Sequence, residues 1–162
     1  PILDEYMTGI QYLNFIGNVY GVPVRERKQA IETLAATFQM EQHLNSLISS
    51  YSHGMKQKLA LIAAFSHTPK LLILDEPFVG LDPEAFVILK EQMKKLCAGG
   101  SSILFSSHIL DVVEKVCNKV SLIKQGHLLY SGLTSGIVGA KGLEEVFMEM
   151  NGDEKSTISA EK

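Results

Sequence analysis

The 162-residue chain has no tryptophan, only two cysteines, and no excess of positive charge. Each absence excludes something. Fifteen Lys and Arg against eighteen Asp and Glu give a net charge of -3, so no basic surface large enough for nucleic acid is expected. Cys97 and Cys117 show no C-x-x-C spacing and no nearby His ligands, which predicts two reduced thiols rather than a disulfide or zinc site. The longest apolar run, "LALIAAF" at 59–65, is far shorter than a membrane span, so any membrane role is expected to be peripheral. No internal repeat is visible. The opening "PILDEYM" carries neither a basic or apolar leader nor an initiator Met, which suggests a piece of a longer chain. The length and the 46% hydrophobic content suit one domain with a real core.

What is present divides near residue 69. Apolar positions at helical spacing predict a helix within 4–20, ended by Gly21 and Pro23. A second is predicted over 24–38, with Ala30, Ile31, Leu34 and Phe38 on one face, and a third over 53–67, closed by Thr68 and Pro69. "LLIL" (71–74) is a short continuous apolar run bounded by turn signals, which predicts a strand buried on both faces. A helix over 83–98 is closed by Gly99 and Gly100, and "SSILFSS" (101–107) predicts a second buried strand. Strand, helix, strand at this spacing predicts a right-handed crossover with parallel strands. A short helix over 109–117 follows, then a hairpin over 119–132 turning at Gln125-Gly126, then a helix over 143–150. The expected domains are a helical part (1–69), an α/β part (70–150) and a disordered tail (151–162).

Parallel strands joined by a helix end on one edge of their sheet, where ligands bind. Asp75 and Glu76 follow the first strand; Ser107 and His108 end the second. The strands lie roughly 5 Å apart if adjacent, or about 10 Å apart with one strand between. Two neighbouring carboxylates can divide a task. One holds a magnesium ion through water, while the other points the opposite way along the pleat and orients a nucleophilic water. The imidazole can donate to a phosphate oxygen. A solvated acidic turn is the plain alternative for Asp75 and Glu76, and a structural or surface role is the plain alternative for His108.

"YSHGMKQK" (51–58) supplies a second group of residues. Ser52 suits a helix N-cap, and Gly54 lets another group approach the first turn. The free amides there form an anion site, to which Lys56 and Lys58 are expected to add positive charge. An ordinary capped helix is the alternative. Asp82 before Pro83-Glu84 is likewise a strong helix start.

In order along the chain, these segments resemble the nucleotide-binding domain of ABC transporters. "YSHGM" stands where that family has its "LSGGQ" signature, "LLILDEP" resembles Walker B with the catalytic Glu, "GLDP" the D-loop and "SSH" the H-loop. The resemblance covers residues 1 to about 150 and is closest to ATPase subunits of bacterial drug or antibiotic (bacitracin-type) exporters. It implies a partial P-loop NTPase fold, with a helical subdomain, a parallel βαβ core and a C-terminal hairpin.

The resemblance also implies roles. Asp75 would hold Mg2+ through water, Glu76 would polarise the attacking water, and His108 would contact the γ-phosphate of ATP. Ser52 and Gly54 would cover ATP bound on a partner subunit, and Asp82 would couple the two sites of a head-to-tail dimer. A membrane permease subunit would be the other partner, placing the protein in the cytoplasm against the inner face of the membrane. His53 and Met55 depart from the usual signature residues. No Gly-Lys dipeptide occurs, so the G-x-x-x-x-G-K-[ST] phosphate loop is absent from this sequence. The family's adenine-stacking aromatic residue and Q-loop glutamine lie upstream of the matched region. Without those groups this chain alone is expected neither to hydrolyse ATP nor to bind it tightly, and its sheet is expected to keep open edges and an uncovered apolar face, favouring self-association. An ATP-independent interaction module and a soluble, non-transport ABC ATPase are the rival readings.

Overall fold

The computed structural model describes residues 3–138 and 142–152. These fall into two compact units, the first ending at Ser106 and the second beginning at Ser107. The expected tail lies outside the described residues from 153 onward, whereas Asn151 and Gly152 extend the last helix.

The first unit opens with three packed helices: α1 (Gly9–Val19), α2 (Val24–Thr37) and α3 (His53–Ser66). Helix α1 starts five residues later than the apolar spacing suggests. Thr8 and Gln11 form a reciprocal capping box, each side chain bonding the other's backbone N–H at 3.3 and 2.9 Å. Tyr6 therefore lies outside the helix, and Phe15 and Tyr20 are exposed rather than core. The buried seam comprises Leu13 from α1, Ile31, Leu34 and Ala35 from α2, and Leu59 and Ile62 from α3, joined by Phe38 just past α2. Arg27 is also buried. Its guanidinium donates to the Asn14 carbonyl at 3.0 Å and to the Asn18 side chain, tying α2 to the C-terminal half of α1. A Cβ on Gly17 would lie 2.1 Å from Arg27 Cδ, so a larger residue there would displace the Arg27 side chain. Nothing local in the sequence marks Arg27 as an interior residue.

Strand β1 (Leu71–Leu74), helix α4 (Pro83–Ala98) and β2 (Ser102–Phe105) form the expected crossover, and the strands pair directly in parallel, Leu71 opposite Ser102 and Leu74 opposite Phe105. The adjacent-strand alternative is the one adopted. Burial on both faces is not found. Leu72 is buried, but Leu71, Ile73 and Leu104 are 58%, 66% and 62% exposed. These three share the pleat face opposite Leu72, and no described element covers it, so the uncovered apolar face expected from the sequence is present. Strand β2 is also shorter than "SSILFSS", running from Ser102 to Phe105, and the Ser106 and Ser107 hydroxyls beyond it each accept a backbone N–H.

The second unit holds α5 (Leu110–Val116), the antiparallel pair β3 (Lys119–Lys124) and β4 (His127–Leu133), α6 (Thr134–Val138) and α7 (Leu143–Gly152). Gln125 and Gly126 have φ of 48° and 80°, as a two-residue turn with both central residues left-handed requires. The short α6 was not expected. Thr134 starts it with its hydroxyl donating to the Cys117 carbonyl at 2.8 Å, a contact seventeen residues distant and invisible to local pattern. Cys97 and Cys117 are both free thiols.

Candidate nucleotide site

The acid pair sits where β1 ends, and a residue the sequence reading passed over organises it. Ser106, directly after β2, donates from its hydroxyl to Asp75 Oδ1 and accepts from the Glu76 backbone N–H at 3.0 Å. Ser107, expected on that rim, instead accepts from the Ile109 N–H at 3.1 Å and shapes its own turn. The first serine of "SSH" was the available signal, since it alone stands level with the residue after Leu74. Its N–H indeed bonds the Leu74 carbonyl at 3.0 Å, extending the parallel ladder by one step.

Glu76 has φ of 45°, the left-handed region that a side chain with a Cβ enters at a cost of roughly 1–2 kcal/mol. The bond from the Glu76 N–H to the Ser106 hydroxyl ties this left-handed turn to the end of β2. Asp75 is exposed and Glu76 half-buried, giving one carboxylate toward solvent and one partly sheltered. Among the described residues no cluster of three metal-ligating side chains exists. A magnesium ion that keeps most of its waters needs only one or two carboxylates besides phosphate oxygens. The single oriented carboxylate of Asp75 fits that demand.

Phe78 anchors the loop beyond the acids. It is 3% exposed, with its ring 4.8 Å from Phe86 and 5.8 Å from Phe105 between centroids. Pro77 is fully buried beside it. Two turns follow, with Val79 N–H bonded to the Glu76 carbonyl at 3.2 Å and Leu81 N–H to the Phe78 carbonyl at 3.4 Å. Asp82 caps α4 as its Asp-Pro-Glu sequence predicts, Oδ1 accepting from Ala85 N–H at 2.8 Å.

Ser52 caps α3, accepting from the Met55 N–H at 3.2 Å, and its side chain is exposed. Gly54 is required by a close approach, since a Cβ there would stand 2.9 Å from the Gly80 carbonyl oxygen. The expected positive charge at this helix start is largely cancelled. Lys56 pairs with Glu5, and Lys58 Nζ lies 2.7 Å from Asp82 Oδ2. Both cations are therefore engaged by carboxylates of the same chain, which sequence spacing of 51 and 24 residues could not reveal. His108 belongs to the second unit, three positions past β2.

The Ala85 N–H, and then Lys58, hold the Asp82 carboxyl below its ordinary value of 3.8. A depressed folded value means that this stabilisation is fully present above about pH 4 and is lost as the pH falls through the folded value. Asp82→Asn, which keeps the capping oxygen, is therefore expected to flatten the acid limb of stability below about pH 4. Acid unfolding curves that superimpose for the two proteins would contradict this.

Comparison with known proteins gives a consistent picture. The "ABC transporter ATP-binding protein NatA" of Bacillus subtilis is 33% identical over 89% of this chain and 58% of its own length. "ABC-type transporter ATP-binding protein EcsA" of the same organism is 33% identical over 92% of this chain and 60% of its own length. A solved "Structure of ATP binding subunit of ABC transporter" superposes with a TM-score of 0.89 at 33% identity, covering 93% of this chain and 65% of that one. The chain belongs to the ABC transporter ATP-binding family. The "Nod factor export ATP-binding protein I" of Rhizobium meliloti is 32% identical over 86% of this chain and 42% of its own. A family profile described as "AAA domain, putative AbiEii toxin, Type IV TA system" also matches residues 17–114. The toxin wording is that profile's own, whereas the transporter proteins match nearly the whole of this chain. The fold is thus a partial ABC ATPase fold of the P-loop NTPase class. This ABC ATP-binding chain spans about three-fifths of the length of the first two relatives.

Proposed function

We propose that this chain carries the signature, Walker B and D-loop portion of an ABC ATPase that couples ATP binding and hydrolysis to export across a membrane. The observation that carries the reading is the Ser106 bracket, whose hydroxyl bonds both the Asp75 carboxylate and the Glu76 backbone N–H at the carboxyl edge of two parallel strands. Residues 1–69 would act as the signature-bearing helical subdomain and 70–150 as part of the ATPase core.

In this reading Asp75 holds magnesium through water, and the ion supplies charge neutralisation at the phosphate oxygens. Glu76 accepts a proton from, and so polarises, the attacking water, its carboxylate set by the left-handed backbone. His108 donates to the γ-phosphate. Ser52 and the amides of the α3 start face the nucleotide of a second, head-to-tail copy, where a helix N-terminus favours phosphate. The partners are that second nucleotide-binding domain and an integral membrane permease, with the protein cytoplasmic and peripheral to the membrane. Export is favoured by the likeness to an export ATP-binding protein among the relatives. Among the described residues no helix is long and apolar enough to cross a membrane, consistent with a permease on a separate segment or chain.

The missing phosphate loop sets the first test. That loop's backbone amides and Lys cradle the β- and γ-phosphates in this class, so the 162-residue chain alone is expected to show no tight, magnesium-dependent ATP binding by calorimetric titration. The full-length ATPase containing it is expected to bind and hydrolyse ATP. Tight binding by the chain alone would overturn this division of labour, and a full-length protein without ATP hydrolysis would overturn the ATPase reading.

A further inference from the structure

We propose that His53, Gln57 and Lys58 of α3 form a latch that holds the loop 77–82 against the signature helix of the same chain, making Asp82 a positioning residue in cis. The proposal rests on the reading of Glu76 as the water-polarising residue, since the latched loop begins at the next residue.

Four consecutive contacts leave one face of α3, because positions 53 and 57, and 54 and 58, are neighbours one turn apart. His53 lies over Gly80, its Cδ2 2.5 Å from where a Cβ of residue 80 would stand. Gly54 approaches the Gly80 carbonyl oxygen. Gln57 Nε2 donates to the Pro77 carbonyl at 3.1 Å, and Lys58 pairs with Asp82 at 2.7 Å. Both ends of the loop and its apex are therefore tied to the first turns of one helix. Gly80 is favoured by its φ of 79°, and a Cβ there would push the His53 ring aside.

The arrangement reassigns Asp82. Its Oδ1 accepts from Ala85 N–H and its Oδ2 faces Lys58, so both oxygens are committed within its own chain. His53, which departs from the usual glycine of the signature, here fills the space above the glycine of the loop. Any displacement of the α3 start, which carries Ser52 and Gly54, is passed to Pro77 and thus to the backbone of Glu76. The link is short because Pro77 is fully buried and cannot swing freely.

The test uses the 162-residue chain and the full-length protein together. In the chain, Lys58→Met is expected to speed hydrogen exchange at the Val79 and Leu81 amides by roughly two- to fivefold, the scale of one partly exposed ion pair. Asp82→Asn is expected to do the same, the double variant to add little to either, and Lys58→Arg to restore slow exchange. Full additivity of the two changes, or unaltered exchange in Lys58→Met, overturns the latch whatever nucleotide does. In the full-length ATPase, Lys58→Met is expected to lower kcat with KM for ATP unchanged, again rescued by Lys58→Arg. Faster exchange with unchanged kcat overturns the positioning role. A wild-type protein without turnover sinks the ATPase reading alone, since the exchange measurements still decide the latch.

Discussion

Glu76→Gln in the full-length ATPase is expected to reduce ATP turnover by about 10²–10⁴-fold while leaving nucleotide affinity close to wild type. The substitution is nearly isosteric, and it alters neither the Ser106 bond to the residue 76 amide nor the left-handed backbone there. What it removes is the capacity to accept a proton from the attacking water. Binding energy in this class comes mainly from phosphate-loop and magnesium contacts, which the amide does not touch. The expected pattern is therefore a loss in kcat with retained binding, measured as single-turnover phosphate release beside equilibrium titration. Turnover within tenfold of wild type would place the base at another residue. Lost binding would point to Glu76 as a structural member of the phosphate site.

Phe78→Ala is expected to destabilise the chain by about 3–5 kcal/mol, the usual effect of truncating a buried aromatic residue. The ring is the meeting point of three segments, touching Phe86 of α4 and Phe105 of β2 from the loop that follows the acids. Its removal leaves a cavity between the helix and the sheet while Leu89, fully buried on α4, keeps its place. Against a total stability of roughly 5–15 kcal/mol, such a loss removes a sizeable share. In urea it corresponds to a midpoint lowered by about 1–3 M. Phe78→Leu retains most of the volume and is expected to cost less than half as much. Val79→Ala, one residue on and exposed, should fall within about 0.5 kcal/mol of wild type. A Phe78→Ala protein as stable as the Val79→Ala control would mean that the loop is held by the α3 contacts alone.

The exposed face of the β1–β2 pair follows from the same limits of local pattern. Four apolar residues in succession read as a strand buried on both sides, because such runs occur where helices cover both faces. The chain supplies α4 for one face and nothing described for the other, leaving Leu71, Ile73 and Leu104 in solvent. Composition thus reports the environment for which the strand was selected.

Local chemistry determined a great deal by itself. Asp82-Pro83-Glu84 and Ser52 start their helices where their side chains bond the next turn, and Gln125-Gly126 turns the hairpin because both residues accept positive φ. The order of signature-like, Asp-Glu, Gly-Leu-Asp and Ser-Ser-His segments identified the family before any coordinate was needed. The capping box at Thr8 and Gln11 was equally local and was masked by the apolar residues before it. Only the tertiary structure decided that β1 and β2 are direct neighbours, that Ser106 rather than Ser107 brackets the acids, and that Lys58 spends its charge on Asp82. Arg27 beneath Gly17 belongs with these. The reason is common to all four. Caps and turns are closed by bonds across two to four residues, so their residue types carry the signal, whereas these contacts join segments ten to thirty residues apart. Their partners are selected by which surfaces the packed helices and strands bring together, and no spacing in the chain encodes that.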